Sequence, residues 1–410
     1  MKPRVLIDVT RSPHTGIGSY SWNLLEHLGR TNDMYKFIGL TFPCNQQYAD
    51  LRCIETALID KNPTNTCEVE ELSNLIDRTA NVYIATNFTQ ISFPSIPIIQ
   101  VVHDMLYLLN LSWQPTEHDL EVRHGKQMIE YIKQIYLPLL KRKLSSQHGR
   151  WKNLIGESMV SELFVYAQSH AILRAVTLIA VSNNTKSALL KHYKIDKPLE
   201  VVYPIVNLQP IHPIDTPNTR GELIILYIAN FEPRKNHKIV FQTLEALPEG
   251  IRRRVKLVLI GQPLYQSHRI QFEYALNEFN NRINIEVYTD ISEEEKVLWI
   301  RRSTLLLYQS LDEGFGIPLL EAMMYHLPII CLDTPIYREV CGEGAIYVKE
   351  NNPESFAREV KAIIQNPAIT ARLIAHQNNQ IQKFDRSHVN EKINILIEQA
   401  LKQSVREYRR

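Results

Sequence analysis

Glycine is scarce in this sequence, with 14 residues in a chain of 410. Globular proteins average about 7% glycine, so each position that keeps one suggests a need for backbone freedom or close approach. Six of these glycines lie in three G-x-G patterns, at Gly16–Gly18, Gly314–Gly316 and Gly342–Gly344. The scarcity therefore directs attention to three tight loops.

Other absences narrow the class of protein. No apolar run reaches the roughly 18 residues of a membrane helix, and the run near the N-terminus is too short for a signal peptide. The five cysteines are odd in number and lack C-x2-C spacing, which indicates reduced structural thiols in a cytoplasmic protein. A net charge of +2 implies no polyanionic partner, so no nucleic acid is expected.

Strand and helix patterns alternate through both halves of the chain. Apolar runs rich in β-branched residues predict buried parallel strands, at 4–9, 36–42, 82–86, 96–104, 178–182, 199–204, 223–230, 255–261, 283–288, 304–310, 328–333 and 345–348. Amphipathic helices separate most of them. We therefore expect an α/β protein with two Rossmann-like, doubly wound domains facing across a cleft, where ligands of this class bind.

A segment rich in proline divides the two halves and predicts a linker. The expected domains are residues 1–207, the linker 208–221, a second domain at 222–385 and a final helix at 386–410.

In each predicted domain, the first strand is followed by a loop that could bind a ligand. "TGIGSYSWNLL" (15–25) opens a helix with Gly16 and Gly18, an arrangement that favours a phosphate, although a plain strand-to-helix turn explains it equally well. "NFEPRKNHKIVFQTL" (230–244) places Arg234 and Lys235 at a helix entry. Cations oppose the helix dipole there, so an anion is expected to share the site; a solvated basic face is the alternative.

"DEGFGIPLLEAM" (312–323) holds two carboxylates on either side of a glycine-rich turn. Pro318 suits the first turn of a helix, so Glu313 is expected on a loop and Glu321 one turn inside a helix. For Glu321 alone, stabilisation of the helix N-terminus is a sufficient explanation. His103 ends another buried strand, either as a polar contact or proton donor, or as a structural residue.

Together these motifs resemble glycosyltransferase family 4, the retaining transferases of GT-B fold that use sugar nucleotides. "EGFGIPLLEAM" is similar to the E-x7-E signature and "FEPRKN" to the EPRKN subgroup. "HTGIGSYSWNLL", "VVHDM" and "LIAVSNNTKSAL" are similar to further family motifs, so the resemblance covers nearly the whole chain. It implies that the C-terminal helix crosses back to the N-terminal domain. No D-x-D occurs, in keeping with members that need no metal, and no cofactor is implied.

The resemblance also implies roles for individual residues. Glu313 would contact the donor sugar, as would His103, and Glu321 would hold the nucleotide ribose. The leaving diphosphate would meet Arg234, Lys235, the Gly16–Gly18 loop and the backbone around Phe315, Gly316 and Ile317. Asp290 and Ile291 would lie beside the nucleotide base. The family's usual Arg before the Lys-bearing turn is replaced by Asn230, and its "PNGVD" by "YPIVN" (203–207).

The expected substrates follow from the same resemblance. EPRKN members favour mannose from GDP-mannose, transferred to a glycan or lipid-linked acceptor in surface polysaccharide biosynthesis. UDP- or dTDP-sugar donors, a GT-B epimerase and an inactive nucleotide-sugar-binding scaffold remain alternatives. The basic segment 131–152 suggests peripheral contact with the inner face of a membrane, against the simpler reading of a solvated helix face.

Overall fold

A computed structural model of the protein describes residues 2–60, 66–88, 92–206 and 223–407, the last four without their side chains. The chain forms two compact units. Unit 1 comprises Met1–Ile205 and Arg386–Arg410, and unit 2 comprises Val206–Asp385. The predicted linker at 208–221 lies outside the described residues.

Unit 1 is built on a parallel sheet whose described strands run in the order β3-β2-β1-β4-β5-β6-β7. These strands are β1 (Arg4–Asp8), β2 (Lys36–Thr41), β3 (Thr56–Leu58), β4 (Val82–Ala85), β5 (Ile98–Val102), β6 (Thr177–Ala180) and β7 (Leu199–Val201). The winding direction reverses between β1 and β4. In a parallel doubly wound sheet, that switch point leaves a crevice at the carboxyl ends of the strands.

Unit 2 repeats this design with a sheet in the order β10-β9-β8-β11-β12-β13, all parallel. Its described strands are β8 (Leu223–Ile228), β9 (Val255–Ile260), β10 (Asn284–Tyr288), β11 (Leu305–Tyr308), β12 (Ile329–Leu332) and β13 (Ile346–Val348). The direction reverses between β8 and β11. Both sheets thus have the Rossmann strand order, which confirms the predicted fold class.

Helices cover the sheets in the pattern that parallel strands require. In unit 1 they are α1 (Gly16–Thr31), α2 (Gln46–Leu51), α3 (Thr66–Thr79), α4 (Leu106–Leu109), α5 (Glu117–His124), α6 (Lys126–Tyr131), α7 (Leu137–Lys143), α8 (Met159–Arg174) and α9 (Asn183–His192). In unit 2 they are α10 (His237–Glu245), α11 (Glu249–Arg252), α12 (Gln266–Phe279), α13 (Glu293–Arg302), α14 (Ile317–Met324), α15 (Pro335–Cys341), α16 (Pro353–Gln365) and α17 (Pro367–Gln380).

The last helix, α18 (Val389–Glu407), belongs to unit 1 although it follows unit 2 in the chain. It buries one apolar stripe completely, formed by Ile393, Leu396, Ile397 and Ala400. Lys392 donates from Nζ to the carbonyl oxygen of Val201 at 2.9 Å. The return of the C-terminal helix to the N-terminal unit confirms that part of the fold prediction.

Adjacent residues of α18 give a direct measure of this docking. Leu396 is fully buried and Ile395 is 46% exposed. We expect Leu396→Ala to lower the free energy of unfolding of unit 1 by about 2–5 kcal/mol, because it removes buried methyl groups and leaves a cavity. Ile395→Ala serves as the matched control, with an expected loss below about 1 kcal/mol. Urea unfolding compares the two, and equal losses would contradict the docking.

Candidate functional site

A cluster of buried charged side chains lies at the switch point of the unit 2 sheet. After β8 the chain makes a tight turn at Pro233–Lys235 before α10 begins, and after β11 a loop leads to α14. The first connection contributes Arg234 and Lys235, and the second contributes Glu313. The sheet topology therefore joins residues that lie almost 80 positions apart in the sequence.

The carboxylate of Glu313 is the centre of the cluster. Arg234 donates from Nη1 to Oε2 at 2.9 Å, and Lys235 donates from Nζ to Oε1. The hydroxyl of Tyr308, the last residue of β11, donates to Oε1 at 2.9 Å. Lys235 and Glu313 are each only 7% exposed. The anion that lies beside the two cations is thus the chain's own Glu313.

Further bonds tie the two connections together. Arg234 donates from Nε to Glu232 at 3.1 Å and from Nη1 to the carbonyl oxygen of Asp312 at 3.0 Å. The backbone N–H of Leu311 donates to the carbonyl oxygen of Arg234 at 2.9 Å. Asn236 then takes a left-handed conformation, with φ of 58°, and turns the chain into α10.

These contacts set the charge state of Glu313. Burial raises the pKa of its carboxyl group, but Arg234 and Lys235 outweigh burial and hold that pKa well below the usual range of glutamate. Burial and Arg234 lower the pKa of the Lys235 ammonium, and Glu313 opposes the change. Glu313 is therefore a carboxylate at neutral pH. It is suited to electrostatic and hydrogen-bonding roles and poorly suited to donating a proton.

Glu321 has a different environment in the same unit. Helix α14 begins after Gly316, with Pro318 in its first turn, so Glu321 lies inside the helix as predicted. Glu321 is 7% exposed, and Lys296 of α13 donates from Nζ to its Oε1 at 2.7 Å. Burial raises the pKa of Glu321, and the Lys296 ammonium opposes that rise.

The turn before α14 depends on glycine. Gly316 has φ of 91°, a conformation that side chains with a Cβ rarely adopt. Phe315 is buried with its ring against the edge of Phe384, at 5.5 Å between centroids, and Ile317 is half-buried. The predicted base contacts lie elsewhere. Asp290 is exposed and Ile291 half-buried, in the connection from β10 to α13, and β10 is two strands away from β8.

In unit 1, the two glycines of the first loop have different surroundings. Thr15 caps α1 by accepting the N–H of Gly18 at 3.1 Å, so this N–H already has a partner. A Cβ on Gly18 would lie 1.8 Å from the carbonyl oxygen of Ser12, whereas a Cβ on Gly16 would meet nothing within 4 Å. Gly18 is therefore required by the turn itself, and Gly16 is not.

His103 follows β5 and contacts the connection after β4. Its Nε2 lies 3.1 Å from the carbonyl oxygen of Thr86, which can only accept, so Nε2 carries the proton and Nδ1 is the acceptor. The edge of its ring meets Tyr20 at 5.0 Å between centroids. Burial lowers the pKa of His103 to about 4, although the Thr86 carbonyl opposes the change. The imidazole is thus neutral at pH 7.

The sequence patterns did not identify Tyr308 and Lys296. The only signal for Tyr308 is a hydroxyl-bearing residue at the carboxyl end of a buried strand. For Lys296 the signal is its position three residues after Glu293 on a helix, a spacing typical of ion pairs. Neither signal connects the residue to a carboxylate elsewhere in the chain, because both pairings are tertiary.

The basic segment 131–152 turns most of its apolar side chains inward, although Ile135 is 40% exposed. Tyr131, Ile132, Tyr136, Leu137, Leu140, Leu144 and Trp151 are all buried. Lys133 pairs with Glu117 and Lys141 pairs with Glu162. No helix within the described ranges has the length and apolarity needed to cross a membrane, and the described residues contain no group of three or more His, Cys, Asp or Glu side chains arranged to hold a metal ion.

Comparison with known proteins links unit 2 to one family. Residues 211–381 match the family model of glycosyl transferases group 1. The matched segment contains Arg234, Lys235, Glu313 and Glu321. All four residues were singled out from the sequence.

Two curated relatives and one solved structure illustrate the similarity. The chain is 22% identical over 274 residues to the O-antigen chain mannosyltransferase RfbU of Salmonella typhimurium, covering 66% of this chain and 74% of that protein. It is 33% identical over 134 residues to the GDP-Man:Man(3)GlcNAc(2)-PP-Dol alpha-1,2-mannosyltransferase of Neurospora crassa, covering 30% of this chain and 24% of that protein. The crystal structure of Anabaena Alr3699/HepE in complex with UDP and glucose has a TM-score of 0.70, at 14% identity and with 97% and 99% of the two chains covered. This likeness shows the two-domain, Rossmann-like GT-B fold.

The two glycines of the first loop make a matched pair of substitutions. We expect Gly18→Ala to destabilise unit 1 by about 1–3 kcal/mol, because the new Cβ overlaps a backbone oxygen that cannot rotate away. Gly16→Ala is expected to be neutral or to stabilise by about 0.4–1 kcal/mol, through the lower entropy of the unfolded chain. Chemical denaturation measures both. Equal effects of the two substitutions would refute the steric assignment.

The charge of Glu313 predicts a specific pH dependence. At pH 7, Glu313→Gln should lower the free energy of unfolding of unit 2 by about 3–5 kcal/mol, because Lys235 loses its buried counter-ion and Arg234 keeps only Glu232. The pKa of Glu313 is lower in the folded state, so its stabilising contribution is complete above the unfolded value and is lost as pH falls through the folded value. The difference between wild type and variant should therefore shrink below pH ~4.5. Urea unfolding at pH 7 and pH 3.5 tests this, and a difference independent of pH would contradict it.

Proposed function

We propose that the protein is a retaining glycosyltransferase. It would transfer mannose from GDP-mannose to a glycan or lipid-linked saccharide acceptor in surface polysaccharide biosynthesis. The observation that carries the proposal is the buried cluster of Glu313, Arg234 and Lys235 at the switch point of unit 2, within the segment similar to glycosyl transferases group 1. The names of the Salmonella and Neurospora relatives support mannose, and the Neurospora name supports GDP-mannose.

The cluster has the charges that glycosyl transfer requires. Breaking a bond between a sugar and a diphosphate develops positive charge on the sugar and negative charge on the leaving group. In the proposed reaction, Arg234 and Lys235 stabilise the diphosphate, and preorganised charges of this kind act most strongly where water is excluded. The proposal uses these two cations in place of a metal ion and requires no cofactor.

Glu313 would act through its negative charge and its hydrogen bonds. Two cations and the Tyr308 hydroxyl already occupy its oxygens, which makes it a weak nucleophile. We therefore assign it to the hydroxyls of the donor sugar, at the face where positive charge develops. The acceptor would attack from the side of the departing diphosphate, and the diphosphate would take the acceptor's proton. The product would then retain the configuration of the donor.

Other residues complete the proposed donor site. Glu321 would bind the ribose, Asp290 and Ile291 the base, and the backbone of Phe315, Gly316 and Ile317 the phosphates. Neutral His103 would hydrogen-bond to the donor sugar. Gly16 and Gly18 would allow the backbone to approach the phosphates. Gly16 is the more accessible of the two, because a Cβ placed on it would meet no atom within 4 Å. The reaction would take place in the cytoplasm, and peripheral membrane contact through 131–152 would suit a lipid-linked acceptor.

Three alternatives make different predictions. A transferase of UDP- or dTDP-sugars is favoured by the likeness to HepE, whose structure contains UDP and glucose. A GT-B epimerase would convert a nucleotide-sugar without any acceptor. An inactive scaffold would bind a nucleotide-sugar and leave it unchanged.

A panel of nucleotide-sugars tests the proposal. GDP-mannose should raise the melting temperature and be hydrolysed slowly, and NMR of a mannoside formed on an added saccharide acceptor should show the α configuration of the donor. Glu313→Gln, assayed where its fold is verified, should reduce turnover by about 10²–10³-fold. Lys238→Met is the matched control, since Lys238 forms an exposed ion pair with Glu278 in the same unit.

The outcomes separate the alternatives. Binding and cleavage of UDP- or dTDP-sugars alone would reject GDP-mannose and keep the transferase. Interconversion of two nucleotide-sugars would indicate an epimerase. Absence of binding and cleavage for every GDP-, UDP- and dTDP-sugar would refute the transferase itself.

A further inference from the structure

Lys296 is a buried cation that the proposed reaction does not use. It lies on α13, outside both the turn after β8 and the turn before α14, and its side chain is 16% exposed. Its ammonium lies 2.7 Å from Oε1 of Glu321 and 2.7 Å from Oε2 of Glu293. The side chain of Glu321 is 9% exposed and that of Glu293 is 37% exposed. One ammonium therefore joins a buried carboxylate on α14 to a more exposed carboxylate on its own helix.

The two carboxylate oxygens of Glu321 differ in their hydrogen bonding. Oε1 accepts the Lys296 ammonium, and among the described residues no hydrogen bond reaches Oε2. Oε2 is not among the fully buried side-chain atoms that lack a hydrogen-bond partner in the described residues, so it is not fully enclosed. Oε2 therefore remains available to a further donor, while Oε1 is held by Lys296.

We propose that Lys296 is a positioning residue for the nucleotide ribose: by holding Oε1 of Glu321, it favours the ionised carboxylate and leaves Oε2 to accept a ribose hydroxyl. The inference rests on the proposed function, because it takes the ribose as the ligand of Glu321. Lys296 itself need not touch the nucleotide. Its contribution is to make a buried carboxylate a fixed, charged acceptor, and hydrogen bonds to charged acceptors are about twice as strong as neutral ones.

The charged surroundings of Glu321 set the expected pH dependence. Lys296 and Glu293 face it from α13. The elements packed against α14 also include β11 and β12, which carry the titratable Tyr308 and Cys331 but no charged side chain, and α15, α17 and the turn Ile381–Phe384. Their charged residues are Arg338, Glu339, Arg372, His376 and Lys383, none of which is among the groups that shift the pKa of Glu321. Loss of Lys296 would leave burial and Glu293, both of which raise that pKa.

The test measures binding of GDP and UDP, with their 2′-deoxy and 3′-deoxy counterparts, by calorimetry from pH 6 to pH 9. In wild type, removing the hydroxyl that Glu321 binds should weaken affinity by about ten- to hundred-fold at pH 9. In Lys296→Met, the ribonucleotide should bind about ten-fold more weakly at pH 6, and the deoxy penalty should fall below about three-fold. The affinity and the deoxy penalty of this variant should both rise toward the wild-type values at pH 9, because the carboxyl of Glu321 ionises as pH rises.

Two further variants separate positioning from a general structural effect. Lys296→Arg keeps the cation and should retain the wild-type affinity and the wild-type deoxy penalty at each pH. Glu293→Gln removes the second carboxylate that contacts Lys296, so its affinity for the ribonucleotide should stay within about two-fold of wild type. If Lys296→Met does not fold, Lys296→Gln replaces it, with the same expected rise of affinity with pH. A folded variant without the cation that keeps the wild-type penalty at every pH would overturn the inference.

The same experiment distinguishes the inference from the proposed function. Wild type that binds neither GDP nor UDP would refute the nucleotide-sugar site itself. Wild type that binds a nucleotide without any deoxy penalty would refute the assignment of Glu321 to the ribose. Only normal wild-type behaviour together with an unchanged Lys296→Met variant would refute the role of Lys296 alone.

Discussion

The structure of unit 2 around its switch point depends on the ion cluster of Glu313, Arg234 and Lys235. Removing a charge from water costs several kcal/mol unless a partner and hydrogen bonds compensate. Glu313 receives two cations and a hydroxyl, and Arg234 also bonds to the buried Glu232, so these charges stabilise one another. This mutual stabilisation holds the turn after β8 against the loop after β11.

The two glutamates of the E-x7-E pattern differ because their surroundings differ. Glu313 lies between two cations, and its pKa falls below the usual range despite burial. Glu321 shares one cation with Glu293, and burial raises its pKa. In glycoside hydrolases, a pair of carboxylates works as an acid with a base or a nucleophile. Here the two carboxylates contact different cations, which gives them different charge environments.

More of the fold than of the site could be predicted from the sequence. Long buried strands such as β1 and β8 were predicted because parallel strands covered on both faces are continuously apolar. The three-residue edge strand β3 and the helix α15 were missed, since a short or partly exposed element leaves little periodic signal. Glu313, Arg234 and Lys235 were all singled out. That they form one cluster was not foreseen, because contacts across almost 80 residues depend on strand order.

The sequence by itself determined the alternation of strands and helices, the helix start at Pro318 and the separation of Glu313 from Glu321 onto a loop and a helix. These features are local, and they follow from backbone preferences within a few residues. Tertiary structure alone decided the partners of each charge. Strand order places Arg234 and Lys235 on Glu313, and the tertiary position of α13 lets Lys296 reach Glu321 on α14. The Ser12–Thr15 turn makes glycine necessary at position 18 but not at 16. Burial then converts these contacts into charge states, because a low dielectric strengthens every ionic contact within it.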